Sequence, residues 1–279
     1  MRTISTKTIT QAVSTLCIES NLHLGEDIHN ALHHAKAAET TPLAQSVLST
    51  IITNLDIAKR EKLPICQDTG MAVFFVSIGH DIHIQGDIES AINEGVRRGY
   101  RALYGRNSVV RDPIRRTNTG DNTPAIIHYA FTPGDKLTIT IAPKGFGSEN
   151  MSGIKMLNPS DGLEGVESFV IETVKNAGAN PCPPIVIGVG VGGTMEKAAL
   201  IAKQALLRDL GKPNPDPFWA ESEARMLENI NKLNIGPAGF GGKTTALGVH
   251  IETFPTHIAG LPVAVNINCH VARHKEVII

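Results

Sequence analysis

Along residues 1–60 the apolar positions recur at helical spacing: Ile9, Val13, Leu16 and Cys17 share one face, and Leu43, Val47, Ile51 and Leu55 repeat toward Arg60. This predicts a helical N-terminal segment over residues 1–60. Near Met71 the pattern changes to short β-rich runs, residues 71–78 and 137–142, with Gly, Pro and Asp punctuation between them. Residues 88–104 read as a helix that Asp87 is placed to cap. Helical spacing returns over residues 163–177, followed by a turn at 180–184, an apolar strand at 185–191 and a helix over 194–210. A loop with Pro213, Pro215 and Pro217 leads to a charged helix over 220–233, a Gly-rich loop and a last β-rich run at 263–268. The expected fold class is α+β. The helical segment 1–60 precedes one continuous unit, residues 61–279, of mixed β-sheets flanked by helices.

Composition narrows the function classes. With 42% hydrophobic and 19% charged residues among 279, the chain has enough apolar surface to offset ordering entropy and too little charge for disorder. Lys+Arg of 26 against Asp+Glu of 27 leaves a formal net charge of -1, which argues against a nucleic-acid partner. The longest strongly apolar stretch, residues 183–193, is shorter than the ~20 residues needed to cross hydrocarbon and is broken by four glycines, so no membrane segment is expected. Residues 1–19 lack an apolar signal core and a small-residue cleavage site, which reads as a cytoplasmic start. Four cysteines are too sparse for a disulfide framework, leaving ligation or burial.

Two Gly-rich segments imitate nucleotide motifs. Gly188-Val-Gly-Val-Gly-Gly193 has the GxGxxG spacing between a strand and a helix, but the second strand with its acidic residue is missing, so close helix–strand packing is the expected role. Gly239-Phe-Gly-Gly-Lys-Thr244 ends like a phosphate loop, yet Pro237 stands where that motif needs its first Gly. A turn presenting backbone amides to a smaller anion is still compatible with it. Seven arginines lie between Arg97 and Arg116, with Glu94 and Asp112 as expected counter-charges. Singly they read as a solvated face, and together as a wall suited to a small dicarboxylate.

The cysteines differ in context. Cys17 sits on an apolar helical face and reads as core, whereas Cys66, Cys182 and Cys269 each lie in or beside a turn. Their intervals exclude local zinc-ribbon and ferredoxin runs. Spacing alone leaves two readings open: separate burial, or three thiolates from distant loops holding a cubane cluster with one iron lacking a protein ligand. Of the 11 histidines, His257 and His270 are near the last cysteine.

The strings Pro64-Ile-Cys66-Gln-Asp-Thr-Gly70, Asn118-Thr-Gly-Asp-Asn-Thr-Pro124, Pro143-Lys-Gly-Phe-Gly-Ser-Glu-Asn150, Asn180-Pro-Cys-Pro-Pro184 with the following Gly-rich run, and Leu247-Gly-Val-His250 leading to Asn268-Cys-His270 belong together. Over residues 61–275 the chain resembles the class I (iron–sulfur) fumarases, specifically the α subunit of their two-subunit form. The resemblance implies that Cys66, Cys182 and Cys269 bind a [4Fe-4S] cluster on which three Cys loops converge. It implies an open fourth iron that engages the substrate hydroxyl and a carboxylate of malate. Gln67 and Asp68 then contact substrate, Asp68 handling the proton of the leaving hydroxide. Arg106 matches a substrate-carboxylate arginine, Gly145 and Gly147 match backbone contacts to substrate, and His257 matches an active-site histidine. The base and further substrate contacts are implied to come from a β subunit in an α2β2 heterotetramer, so the chain is expected to be inactive alone. Fumarate and (S)-malate are the expected substrates because the residues 144–150 string has the fumarase form. L(+)-tartrate dehydratase and mesaconate hydratase α subunits are the alternatives, and an electron-transfer or sensor cluster or a carboxylate-binding module represents other classes.

Overall fold

The computed structural model describes residues 2–279. From the N-terminus come β1 (Arg2–Ser5), α1 (Thr6–Leu22), α2 (Glu26–Ala38) and α3 (Pro42–Glu61), then β2 (Met71–Gly79), β3 (Ile82–Gln85), α4 (Ile88–Ala102), β4 (Ile126–Thr132) and β5 (Leu137–Lys144). There follow α5 (Phe146–Glu149), β6 (Gly153–Leu157), α6 (Gly162–Ala177), β7 (Ile185–Gly192), α7 (Met195–Ala205), α8 (Pro217–Asn231), β8 (Ala246–Phe254), β9 (Leu261–Asn268) and β10 (Lys275–Ile278). This is the expected α+β class. Among the described residues, no helix is long and apolar enough to cross a membrane.

By its internal contacts the chain divides into two compact units. The first comprises Met1–Leu24, Asn54–Gly145 and Arg273–Ile279, and the second Gly25–Thr53 and Phe146–Ala272. The helices expected as one N-terminal segment are therefore shared out: α1 belongs to the first unit, α2 to the second, and α3 runs across the division. In α3 the buried stripe is Ala44, Leu48, Ile52, Leu55 and Ala58, while Leu43 is exposed. Leu55 is buried as expected, but ahead of it the buried face is one residue later than the expected Leu43, Val47 and Ile51, because α3 carries adjacent apolar pairs and its alanines allow the closer packing.

In the first unit a four-stranded sheet has the order β10-β5-β2-β4. β2 runs parallel to β4 and antiparallel to β5, and β5 pairs antiparallel with β10. α1 and α4 bury Ile9, Val13, Cys17, Ile92 and Val96 with Phe74, Val76, Ile139 and Ile141 of the sheet. The Asp87 carboxylate caps α4 by accepting from the Glu89 amide at 3.0 Å. A Cβ at Gly99 would lie 2.6 Å from Cys17 Cβ, so Cys17 occupies a close helix–helix contact. Burial pushes its thiol pKa far up, in keeping with a core role.

The second unit is built on a sheet of order β6-β9-β7-β8, with β7 parallel to β8 and antiparallel to β9. Alternation along β7 sends Ile185, Ile187, Val189 and Val191 into a core shared with Val166, Val170, Val174, Met226 and Ile230. Its other face carries Gly188 and Gly190, where an added Cβ would lie 2.1 Å from the Ala202 and Ala198 carbonyl oxygens of α7. The Gly-rich run therefore serves close helix–strand packing. α7 ends at Ala205 and not near 210, with turns over the remaining residues.

The second Gly-rich loop does meet an anion, and the anion is internal. The Lys243 amide donates to Glu39 Oε2 at 2.7 Å, and the Thr40 and Thr41 amides donate to Oε1 at 2.8 and 3.1 Å. Glu39 is 2% exposed. Burial opposes its ionisation, but these amide hydrogen bonds outweigh that and hold its pKa below the ordinary glutamate value.

Candidate functional site

In the first unit, β2 begins at Met71 opposite Lys144, the last residue of β5. Residues 66–70 before β2 and Lys144-Gly145 at the end of β5 therefore share one end of the sheet. The turn into β2 needs glycine: Gly70 has φ +75°, and a Cβ there would lie 2.8 Å from the Lys144 backbone. Tyr100 Oη donates to the carbonyls of Thr69 at 2.9 Å and Gly70 at 3.2 Å. Burial pushes this phenol upward in pKa and keeps it a donor. Asn122, buried at φ +59°, donates through Nδ2 to the Gly70 carbonyl at 3.1 Å and accepts from the Ser108 amide at 2.9 Å. The Arg106 amide donates to Thr69 Oγ1 at 2.9 Å, which brings the exposed Arg106 to the segment of Asp68.

On that segment Cys66 is half-buried, Gln67 exposed and Asp68 half-buried. Asp68 Oδ1 accepts from the Gly70 amide at 3.0 Å, and its other oxygen would be 3.1 Å from a Cβ at Gly145. The missing side chain of Gly145 thus leaves room for the Asp68 carboxylate. Arg273 Nη2 donates to the Asp68 carbonyl at 2.6 Å. Cys66, Gln67, Asp68, Arg106 and Gly145 are accordingly gathered at one end of one sheet.

In the second unit the register pairs Val186 with Asn268, so the turn before β7 and the turn after β9 lie at the same sheet end. These turns carry Cys182 and Cys269. His270 Nδ1 donates to the Cys182 carbonyl at 2.9 Å, tying one turn to the other. Burial holds the His270 pKa below the ordinary imidazole value, so the ring is neutral near pH 7 and this nitrogen keeps its proton. Cys182 is exposed and sits at φ +55°, a conformation rare for a residue with a side chain. Gly147 belongs here as well, since a Cβ on it would be 3.7 Å from the Asn180 carbonyl oxygen. Asn266 Nδ2 donates to Glu149 Oε2 at 3.0 Å, Glu149 pairs with Lys203, and Ser152 Oγ accepts from the Ile267 amide at 3.1 Å.

His257 is placed elsewhere. It is exposed in the turn between β8 and β9, with its Nδ1 accepting from the Ala259 amide at 3.2 Å. The whole of β9 separates it from Cys269, roughly 23 Å at ~3.3 Å per residue. The resemblance implies that His257 is an active-site histidine, and within this chain the strand carries it and Cys269 to opposite ends of the sheet. Among the described residues, no group of three or more His, Cys, Asp or Glu side chains is arranged as a metal-ion site.

The arginine-rich segment is mostly surface. Arg97 pairs with Glu94 at 2.6 Å and Asp121 at 2.7 Å, and Arg98 with Glu94 at 2.7 Å. Asp112, expected as a counter-charge, instead accepts the Ile114 and Arg115 amides at 3.0 and 2.6 Å. Burial raises the Asp121 pKa, but hydrogen bonds from the Thr123 hydroxyl and Arg97 outweigh it and hold the carboxyl at about 2, against an ordinary 3.8. A carboxyl depressed in the folded state contributes stability that is complete above the unfolded pKa and is lost as pH falls through it toward the folded value. Asp121→Asn is therefore expected to cost about 1 kcal/mol at pH 7 and close to nothing at pH 2, as urea unfolding at the two pH values will read.

Sequence reading passed over Asn122 and Arg273 as single residues. Asn122 stands in a quoted string, Asn118 to Pro124, and Arg273 follows Cys269 by four residues, which are the signals the sequence offered; their burial shows only in the structure.

Comparison with known proteins identifies the family. Residues 10–278 match the family described as fumarate hydratase (Fumerase). The chain is 43% identical over 272 residues to the "Putative L(+)-tartrate dehydratase subunit alpha" of Methanocaldococcus jannaschii, covering 95% of each chain. It is 32% identical over 274 residues to the L(+)-tartrate dehydratase subunit alpha of Escherichia coli O157:H7, covering 97% of this chain and 90% of the relative. A match that extends over nearly the whole chain places the protein in the fumarate hydratase (Fumerase) family.

Proposed function

We propose that this chain is the α subunit of an iron–sulfur hydro-lyase interconverting fumarate and (S)-malate, completed by a β subunit in an α2β2 assembly. The observation that carries the reading is the grouping of Asp68, Arg106 and Gly145 around the segment of Cys66, in a chain of this family. The donor set fits a cluster. Cys66, Cys182 and Cys269 are cysteines on turns outside any disulfide, Cys182 exposed and the other two half-buried, while Cys17 is sealed in the core. Thiolates are the ligands that iron–sulfur clusters take, and reduced thiols suit the reducing cytoplasm. We assign the three turn cysteines as ligands of a [4Fe-4S] cluster. When bound, such a cluster with one iron lacking a protein ligand supplies Lewis-acid polarisation of the substrate hydroxyl.

The residues of the chain divide the remaining work. Arg106 offers a planar guanidinium to a substrate carboxylate and stabilises the charge that grows there as the neighbouring carbon loses its proton. Gln67, exposed beside Cys66, orients the dicarboxylate through its amide. Asp68, held by the Gly70 amide at one oxygen, handles at the other the proton of the departing hydroxide. Gly145 and Gly147 let substrate approach the backbone where a side chain would intrude. The base that takes the carbon-bound proton is assigned to the β subunit, in line with relatives named subunit alpha.

A second reading, L(+)-tartrate as substrate, is favoured by the names of those relatives. The test is kcat/KM of the co-expressed αβ enzyme for (S)-malate, L(+)-tartrate and the hydrate of mesaconate. The highest value for malate supports the proposal, and the highest for tartrate assigns the second reading. Absence of turnover on every hydroxy-dicarboxylate by enzyme with a full iron complement overturns both.

A further inference from the structure

Arg273 is 3% exposed. Its Nη2 donates to the Asp68 carbonyl, while Nε and Nη1 are buried and have no hydrogen-bond partner. A guanidinium carries five N–H donors and cannot lose its charge in a protein, so enclosing it with two of its three nitrogens unpaired costs stability. Apolar side chains of similar volume usually serve a core at least as well. Stability therefore does not account for an arginine at this position, and a functional demand does.

The partner of its one hydrogen bond identifies that demand. Tyr100, Asn122 and the Arg106 amide all support the turn at Thr69 and Gly70. Arg273 acts one residue earlier, on the main chain of Asp68 itself, within the segment that also carries Cys66 and Gln67. A short charge-assisted bond to a carbonyl fixes that segment more firmly than a neutral donor can. We propose that Arg273 is a positioning residue that holds Cys66-Gln67-Asp68 in working geometry through the Asp68 carbonyl. The inference rests on the function proposed above, in which Cys66 is a ligand and Asp68 handles a proton.

Two readouts on Arg273→Met and Arg273→Lys test it. The first uses the full chain without cluster and follows alkylation of each cysteine by iodoacetamide with mass spectrometry. Loosening of the segment is expected to raise the Cys66 rate at least about fivefold in Arg273→Met, with Cys182 unchanged and buried Cys17 unreactive as the reporter of an intact core. The second uses the assembled αβ enzyme: kcat is expected to fall about tenfold or more with KM within about threefold, and Arg273→Lys to recover part of the loss. An unchanged Cys66 rate with Cys17 protected overturns the proposal, as does an unchanged kcat. Reactive Cys17 in both variants makes Arg273 a support of the whole core and also overturns it. Failure of the underlying function is recognised separately, as absence of turnover in the wild-type enzyme, and leaves the alkylation result decisive for the clamp.

Discussion

Replacing Cys66, Cys182 or Cys269 by Ala is expected to remove the bound iron and lower hydro-lyase turnover by on the order of 10³-fold or more. The three cysteines form no disulfide and are at least partly exposed, and each lies on a turn whose backbone the fold holds in place by other means. Removing the thiol of Cys66 leaves the bonds of Tyr100 and Asn122 to residues 69 and 70, so the chain still folds. Cys17→Ala has the opposite signature. It opens a small cavity where α1 meets Gly99 of α4 and costs roughly 1–2 kcal/mol, with iron content unchanged. Iron and sulfide content per chain, measured beside turnover for all four variants, separates the ligands from the core cysteine. Full iron in any one of the three turn variants removes that residue from the ligand set.

Asp68→Asn is expected to keep the cluster and lower kcat by about 10²- to 10⁴-fold, the range that a positioned proton-transfer group contributes. The substitution is close to isosteric. The Asn oxygen still accepts from the Gly70 amide, the turn into β2 is retained, and Gly145 still leaves the side chain its room. What is lost is the carboxylate oxygen assigned to proton transfer, replaced by an amide that cannot serve as acid or base. The effect therefore falls on kcat, with KM changed only a few-fold. Steady-state kinetics of the αβ enzyme checks this, and wild-type kcat in the variant excludes Asp68 from the mechanism.

Local signals carried much of the fold. β2, β5, α4 with its Asp87 cap, α6, β7 and β9 announce themselves through period and capping chemistry, and the structure has them within a few residues. Elements whose pairing comes from distant partners did not. β10 is four residues long and becomes a strand by pairing with β5, from Lys275 with Ile141 to Ile278 with Thr138. β8 is interrupted in sequence by Gly248 and His250, yet it lies along the whole of β7. The division into two units is equally non-local, since each draws on segments far apart in the chain.

The site was legible in kind more than in arrangement. Residue type and turn context distinguished Cys17 from the other cysteines, and core burial of Cys17 follows that reading. Cys182 and Cys269, far apart in sequence, share a sheet end because β7 and β9 are antiparallel in one register. His257 and Cys269, close in sequence, stand at opposite ends for the same reason. Linear distance misleads in both directions wherever a strand intervenes, and only pairing register corrects it.

The most direct test of the iron–sulfur reading is electron paramagnetic resonance of the chain purified and reconstituted without oxygen, before and after mild oxidation. The account predicts a three-iron signal on oxidation that ferrous iron with a reductant abolishes, the behaviour of a cluster with one iron lacking a protein ligand. A cluster that keeps all its iron under the oxidant, or a chain that assembles none, contradicts it.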